Sequence, residues 1–431
     1  MFNKKRWVFR MEIGPYIKLN RIKQEMTQSD LAEGIVSLSY LSKIENGKTD
    51  ASPHVMSLLC TRLGIEINIE KDDTIQEKCQ EWYKMLFEVN DKNEIVEKYT
   101  ELEALIKETH SDNLIMFEIH KIRYFLIMGE FDRTLAQINE LEEISSTFDS
   151  LHQFYWFKFK GNYKTVNGDF KEAMRKYKQA EEKLNQLDME DEEVADLQYT
   201  IAVTHSKLRN TLEAIDSADK ALNIFRSQYN FIRCAECHII LGISYRRIRM
   251  YDKSIKNHNL AKHLGKLENN KQIIQLVNHN LGHLHSTRGN TNDAIHFYVE
   301  VANDESVDTH AKIPAVSSLV REYYTINDLE KTSEMIDLGY SLLENNAHDE
   351  SFKVFSYILD TYKYAINKEH DKFENLVIKE FIPYLKKHND YANVAIYTTM
   401  LGEYYESLHR YKDAARTYKL ANSAYEELAN V

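Results

Sequence analysis

The stretch GNYKTVNGDFKEAMRKYKQA, residues 161–180, contains the pattern on which the fold prediction rests. It begins with a glycine, has a Gly-Asp-Phe turn seven residues later, and continues with Ala173, Tyr177 and Ala180 at helical spacing. A turn between two amphipathic segments predicts a helical hairpin, and small residues at facing positions let its helices approach closely. Similar stretches begin at Gly242, Gly282 and Gly402.

Weaker copies extend this pattern over most of the chain. The positions equivalent to the first glycine are 122, 161, 202, 242, 282, 320, 364 and 402, and a still weaker copy near Leu86 makes nine. Such repetition predicts hairpins that bury their apolar faces by stacking, and the constant register argues against a generic helical bundle. The pattern resembles a tetratricopeptide (TPR) array with a period near 40 residues. That resemblance implies a right-handed superhelix with a concave groove.

The composition independently favours an all-α protein. The 431 residues include only 13 Gly and 4 Pro, whereas these two types together usually make up about 12% of residues. Sheet-rich folds need many Gly and Pro turns, so a sandwich, barrel or propeller is excluded. No apolar run is long enough to predict a transmembrane helix, and four cysteines do not form a disulfide framework. We therefore expect a cytoplasmic location without membrane association.

Charge divides the chain into a basic head and an acidic body. The net charge is −12; residues 1–70 contain 10 basic and 8 acidic residues, which leaves 45 and 59 in the remainder. Only the head is therefore expected to meet a polyanion. The predicted segments are a basic appendage at 1–10, a DNA-binding domain at 11–68, a linker at 69–75 and a repeat domain at 76–431.

The head contains two blocks that resemble the helix-turn-helix of Cro/repressor-type (Xre family) proteins. They are MTQSDLA at residues 26–32 and YLSKIENGK at residues 40–48. The resemblance implies a five-helix domain whose helix from Leu38 enters the major groove of double-stranded DNA. Arg21 and Glu45 match an ion pair within the domain. The residues expected to contact DNA are Gln28, Leu38, Ser39, Tyr40, Lys43, Asn46 and Lys48.

The recognition segment departs from the usual family pattern. Ile35-Val36-Ser37 replaces the common Gly-Val-Ser, and Leu and Ser stand where Gln or Arg often face the bases. Because Leu and Ser make fewer bidentate base contacts, we expect modest affinity per head. Two heads on a two-half-site operator would then be needed. The alternative is a helix-turn-helix retained only for protein–protein contact.

No enzyme signature is present, and no cofactor or metal is predicted. Cys234-Ala-Glu-Cys237-His238 spells a haem-attachment motif, but it falls on a repeat helix where cysteine serves as a small core residue. His279 and His283 stand four residues apart without an acidic third ligand at a known spacing. The chain is therefore expected not to be an enzyme.

One helix-turn-helix followed by about nine degenerate repeats resembles the peptide-pheromone-responsive quorum-sensing regulators of Gram-positive bacteria. These are the PlcR, NprR, Rgg and PrgX type (RRNPP family), and the length fits the NprR-like subgroup. The resemblance implies a homodimer, or a tetramer, whose groove binds a short signalling peptide that resets the spacing of the heads. The expected peptide-binding residues, from repeat register and local motif, are Lys158, Asn162, Tyr199, Arg246, His279, Asn280, His283, Arg321 and Tyr324.

Two other functions fit the same architecture. One is a TPR adaptor that binds a protein such as a response regulator. The other is a ligand-independent, prophage-type repressor with a dimerising helical tail.

Overall fold

The computed structural model describes residues 13–49, 51–64, 72–88, 91–109, 114–344 and 350–429. These residues are helical or form turns, with no β-strand among them, which confirms the predicted all-α fold. The chain divides into two compact units, unit 1 to Thr200 and unit 2 from Ile201. The predicted appendage at 1–10 lies outside the described residues.

Four helices form the described part of the head in unit 1. They are α1 (Ile13–Lys23), α2 (Gln28–Ala32), α3 (Leu38–Glu45) and α4 (Pro53–Arg62).

Local capping explains where these helices begin. The Thr27 side chain accepts a hydrogen bond from the Asp30 amide while Asp30 bonds back to the Thr27 amide, which starts α2 with a capping box. Ser37 caps α3 and Ser52 caps α4 in the same way, each accepting from a backbone amide three residues on. Residues 69–71 of the predicted linker lie outside the described residues, and residues 72–75 belong to the next helix.

The remaining helices follow one another as hairpins. In unit 1 they are α5 (Asp72–Glu88), α6 (Lys92–Thr109), α7 (Leu114–Met128), α8 (Phe131–Glu142), α9 (Ser150–Val166) and α10 (Phe170–Leu184). Helix α11 (Asp191–Lys207) runs across the boundary between the units.

Unit 2 continues the same order of helices. They are α12 (Thr211–Ser227), α13 (Phe231–Arg247), α14 (Tyr251–Leu267), α15 (Lys271–Thr287), α16 (Thr291–Ala302), α17 (Thr309–Thr325), α18 (Leu329–Glu344), α19 (Lys353–Ile366), α20 (His370–Asn375), α21 (Ile382–Lys387), α22 (Tyr391–Ser407) and α23 (Tyr411–Ala429). A π-helical stretch, Leu376–Phe381, joins α20 to α21, so these two serve as one second helix. The nine predicted register positions fall on the first helices α5, α7, α9, α11, α13, α15, α17, α19 and α22.

Close helix contacts occur at the predicted small positions. A Cβ atom added to Gly402 would lie 2.5 Å from Tyr418 Cε1, and one added to Gly242 would lie 2.5 Å from His258 Cε1. Real Cβ atoms do not approach other atoms this closely, so each glycine is required by the ring of its partner helix. The repeated glycine of the sequence therefore corresponds to a repeated glycine-to-ring contact between first and second helices.

A left-handed residue ends the first helix of each hairpin from the second to the ninth. These residues have φ between 57° and 77° and recur every 38 to 41 positions: Gly129, Gly168, Arg209, Arg249, Gly289, Asn327, Lys368 and His409. A positive φ lets the chain reverse direction in few residues, and glycine adopts it without steric cost. The turn is therefore repeated even where the sequence has no glycine.

Candidate DNA interface and ligand groove

Helix α3 presents a polar and apolar outer face above a buried inner face. Leu41 and Ile44 are buried in the core of the head, whereas Ser39 and Lys43 are exposed and Leu38 is 52% exposed. Tyr40 is half-buried and borders this face. An exposed leucine at the start of a helix is free to contact an apolar group such as a thymine methyl.

Two of the predicted DNA-contacting side chains bind other groups of the head. Gln28 Nε2 donates to Glu45 Oε2 at 2.6 Å. Asn46 Nδ2 donates to the Ser42 carbonyl at 2.7 Å, and its Oδ1 accepts from Lys18 Nζ at 3.4 Å. Lys48 is exposed. The structure thus gives Gln28 and Asn46 positioning contacts next to α3, and it leaves Lys48 open to solvent.

Arg21 and Glu45 join α1 to α3. Arg21 Nε donates to Glu45 Oε1 at 2.7 Å, and Arg21 Nη2 donates to Oε2 at 3.1 Å. The third guanidinium donor, Nη1, binds the Met26 carbonyl at 2.8 Å. Glu45 is fully buried, so this bidentate pair neutralises a carboxylate inside the head.

The head is also joined to the helices that follow it in unit 1. Lys23 Nζ lies 3.2 Å from Glu118 Oε1 and 3.0 Å from Glu140 Oε1, on α7 and α8. These two carboxylates raise the pKa of Lys23 against the opposing effect of burial. Leu19 of α1 is buried in the same cluster as Ile115 and Ile119 of α7. The head and the first repeats therefore share one core.

Lys158, predicted to line the groove, is instead completely buried. Its ammonium lies 2.6 Å from Glu193 Oε2 and 2.9 Å from Asp196 Oδ2, while Tyr155 also donates to Glu193 at 2.8 Å. Burial opposes the charged form, but the two carboxylates outweigh it and raise the pKa of Lys158. Lys158 therefore holds α9 to α11 and presents no surface to a ligand.

The other predicted groove residues of unit 1 are partly or largely covered. Asn162 is 7% exposed, and its Oδ1 accepts a hydrogen bond from the Tyr177 hydroxyl at 2.9 Å. Tyr199 is half-buried. The amide predicted to hold a peptide backbone is thus occupied within the hairpin α9–α10.

In unit 2 the predicted groove residues lie on the first helices of consecutive hairpins. Arg246 lies at the end of α13, His279 and His283 lie on α15, and Arg321 and Tyr324 lie on α17. Helix α15 packs against both α13 and α17. Electrostatic interactions of both histidines with both arginines place the four groups near one another.

Solvent reaches this surface although protein surrounds it. His283 is exposed, yet desolvation by the protein around it, followed by repulsion from Arg246 and Arg321, lowers its pKa to about 3. The same causes, with Arg321 before Arg246, lower the pKa of His279 to about 4. An exposed group that is strongly desolvated lies in a concave surface. Both imidazoles are therefore neutral near pH 7.

Aromatic rings continue the surface beyond α17. The Tyr324 ring lies 5.1 Å from the Tyr362 ring, which lies 6.2 Å from the Tyr397 ring. Asn280, chosen by local motif, is half-buried, and its Nδ2 donates to the Leu276 carbonyl at 2.8 Å within α15. The candidate groove of unit 2 is thus cationic next to α15 and aromatic beside α17.

Sequence reasoning missed two arginines that belong to this cationic region, Arg209 and Arg247. Burial, followed by repulsion from Arg209 and then from Arg246, lowers the pKa of Arg247 to about 10. The run Arg246-Arg247 is visible in the sequence, but Arg209 lies in a turn outside the helical register.

The described residues contain no group of three or more His, Cys, Asp or Glu side chains placed to hold a metal ion. Cys234 and Cys237 are buried, and burial raises the pKa of the Cys237 thiol well above its usual value. His238 Nδ1 lies 2.8 Å from Asn257 Oδ1. In the part of the chain that is described, no helix has the length and apolar character needed to cross a membrane.

Known proteins match the head and the whole chain. A helix-turn-helix family model matches residues 17–69. The transcriptional activator NprA of Geobacillus stearothermophilus is 31% identical over 409 residues, which cover 93% of this chain and 100% of NprA. Response regulator aspartate phosphatase H of Bacillus subtilis is 21% identical over 85% of this chain and 96% of its own length.

Solved structures share the fold. The apo quorum sensor NprR from B. thuringiensis superposes with a TM-score of 0.69 at 18% identity, over 82% of this chain and 99% of NprR. A Rap protein solved with competence and sporulation factor gives the same TM-score at 19% identity, over 83% of this chain and 99% of the Rap protein. Together with the full-length match to NprA, the chain belongs to the RRNPP family of quorum-sensing transcriptional regulators, in its NprR-like subgroup.

Proposed function

We propose that this chain is a cytoplasmic transcriptional regulator that binds a two-half-site operator through α3 and binds a short signalling peptide in its repeat groove. The observation that carries the proposal is the full-length similarity to a transcriptional activator, which includes both the head and the repeats. A structure of NprR has been solved with its cognate peptide NprX, and it has the same fold with a TM-score of 0.63. Both features support a regulator that combines a DNA head with a peptide receptor.

The DNA-binding part of the proposal rests on the outer face of α3. Ser39 and Lys43 are exposed, and the inner residues of the helix fix its position in the head. Such a helix contacts base edges, while neighbouring lysines such as Lys48 bind phosphates. Two heads supplied by a homodimer would match two half-sites.

The regulatory part rests on how the head is attached. Because Leu19 and Lys23 join α1 to α7 and α8, the head moves together with the first repeats. A peptide that binds one dimer or tetramer geometry better than another shifts the population toward it, by no more than its difference in affinity. The spacing of the two α3 helices would change with that geometry.

The experiment follows DNA binding and oligomer mass in parallel. Purified protein selects an operator from randomised duplexes, and a short-peptide fraction of cell extract is then added while light scattering reports mass. We expect at least one fraction to change both operator affinity and mass. If no fraction changes either quantity, the chain is a ligand-independent repressor and the receptor proposal is wrong.

A second function is favoured by the match to the aspartate phosphatases of B. subtilis, which in one case spans nearly the whole length of the phosphatase. In this alternative the repeats bind a response regulator and the head is secondary. Phosphorylated response-regulator receiver domains, added to the protein without DNA, would then form a stoichiometric complex. The regulator proposal expects operator binding by the same preparation whether or not such a complex forms.

A further inference from the structure

Four arginines of unit 2 form a cationic cluster, which we call the arginine cluster: Arg209, Arg246, Arg247 and Arg321. Burial and then repulsion from Arg209 lower the pKa of Arg246, despite the favourable effect of Tyr298. The Arg247 pKa is lowered to about 10 by burial, Arg209 and Arg246. Guanidinium pKa values fall only where positive charge is crowded and poorly hydrated. The cluster is therefore unfavourable in the free protein.

Carboxylates do not compensate this charge. Among the described residues none lies within 4.0 Å of a nitrogen of Arg209, Arg246 or Arg247, although the chain has 67 acidic residues and a net charge of −12. Arg247 Nη1 binds only Ser206, through its carbonyl and its hydroxyl. Lys158 of unit 1, by contrast, is held by two carboxylates.

Arg321 has one distant acidic neighbour. Its Nε lies 3.9 Å from Glu322 Oε1, and that oxygen already accepts a hydrogen bond from Ser286 Oγ at 2.6 Å. Burial opposes the charge of Arg321, but the surrounding tyrosines and Glu322 raise its pKa. Arg321 is consequently fully charged with donors still available.

The groups between Arg246 and Arg321 are neutral. His279 and His283 face both arginines with depressed pKa values. The Tyr298 hydroxyl is buried without a hydrogen-bond partner of normal geometry among the described residues, and it interacts electrostatically with both guanidiniums. A buried donor without a partner is costly. Together with the uncompensated charge, it indicates a surface that lacks an anion.

Resting on the proposed function, we propose that the arginine cluster binds the carboxylates of an acidic signalling peptide, with Arg246 and Arg321 on the two sides of its acidic group. Carboxylates match the planar donor pair of a guanidinium and bind most strongly where water is excluded. A nucleic acid is disfavoured because the acidic body would repel its backbone. An aspartate or glutamate side chain and a free C-terminus share this chemistry.

The test uses the full-length protein and two pools of synthetic heptapeptides with the same random apolar positions. The acidic pool contains Asp and Glu and a free C-terminus, and the neutral pool contains Asn and Gln and a C-terminal amide. Calorimetry measures binding of each pool, and inorganic phosphate is titrated separately. We expect the acidic pool to bind about tenfold more tightly or better.

Variants connect this preference to the cluster. Arg246→Gln and Arg321→Gln should each abolish the difference between the pools, whereas Arg416→Gln, an exposed arginine of α23, should retain it. Arg246→Lys should keep part of the preference, because the charge remains but the paired donors are lost. Without peptide, Arg246→Gln should raise the melting temperature, since it removes repulsion from Arg209 and Arg247; a fall would indicate a structural role and overturn the inference.

The remaining outcomes separate this inference from the proposed function. Equal binding of both pools, with a change in operator affinity, leaves the receptor function intact and overturns the acidic preference. A preference that survives in both glutamine variants also overturns it. Binding of phosphate but of neither pool, or no binding at all, overturns both the inference and the peptide-receptor function.

Discussion

The glycine at position 282 lies directly beneath the ring of Tyr298, and a Cβ atom added there would be 2.6 Å from Tyr298 Cε1. Helix α15 approaches α16 this closely because residue 282 has no side chain. Tyr298 is fully buried, so its ring cannot move into solvent to make room. The contact makes glycine necessary at a helical position where alanine is otherwise preferred.

Gly282→Ala should therefore destabilise the protein despite the better helix propensity of alanine. Overpacking of a core position costs about 1–3 kcal/mol, and propensity returns about 1 kcal/mol at most. Urea unfolding followed by circular dichroism measures the net loss. In a double-mutant cycle, Tyr298→Leu should reduce the cost of the alanine; a cost that is the same with leucine would show that the ring contact is not responsible.

The glycine positions also show what the sequence can predict. Glycines 161, 242, 282 and 402 recur at one register, and each meets a ring of the second helix. Periodic small residues record a helix–helix contact inside one hairpin, which is local in sequence. The hairpins and their number are therefore predictable from the amino-acid sequence alone.

The ligand groove could be predicted only in part. Register placed Lys158 on the groove face of α9, but Glu193 and Asp196 of α11 cover it. Register gives the direction of a side chain relative to its own helix, and it does not tell which neighbouring side chains reach over it. Arg209 was missed for the opposite reason, because a turn residue has no helical register.

The left-handed turns lead to a stabilising prediction. Lys368 is exposed and has φ 57° in a turn where other repeats have glycine. Lys368→Gly should raise the free energy of unfolding by about 1 kcal/mol, because a Cβ atom disfavours this conformation. Lys368→Ala retains the Cβ and should leave stability within about 0.5 kcal/mol of the parent. Equal gains in both variants would mean that the lysine side chain, rather than the backbone, causes the strain.

A buried histidine makes the stability of unit 2 dependent on pH. His258 is fully buried, neither of its ring nitrogens has a hydrogen-bond partner among the described residues, and burial lowers its pKa to about 3. The unfolded chain binds a proton at its ordinary pKa of about 6.5. Its contribution is therefore complete above pH 6.5 and is lost as the pH falls from there toward 3.

His258→Tyr should weaken this acid destabilisation, because other repeats place a tyrosine ring against the equivalent glycine. At pH 5 the variant should retain roughly 2 kcal/mol that the parent loses, relative to their values at pH 7.5. Urea unfolding at a series of pH values provides the measurement, with His263→Tyr, an exposed position of the same helix, as the control. Parallel pH profiles for parent and His258→Tyr would contradict the assignment.

The outer face of α3 can be tested by its effect on operator binding. Ser39→Ala and Lys43→Ala should each weaken a specific site by about 1 kcal/mol, since each removes one base or backbone contact. Both side chains are exposed, so the melting temperature should not change. Lys84→Ala removes the same charge from an exposed position of α5 and should leave fluorescence anisotropy titrations unaltered. Unchanged titrations for both α3 variants would make the head a protein-binding module.

The ion pair between Arg21 and Glu45 should be essential to the head because its carboxylate has no access to water. Arg21→Ala leaves fully buried Glu45 with Gln28 as a remaining donor, and loss of one partner of a buried pair costs about 3–5 kcal/mol. Hydrogen exchange should then show loss of protection in α3, and operator binding should be lost with it. The double change Arg21→Met with Glu45→Leu removes both charges and should restore protection, because packed apolar side chains replace a buried pair at little cost. If the double variant exchanges as fast as Arg21→Ala, the guanidinium bond to the Met26 carbonyl, rather than charge neutralisation, holds the head together.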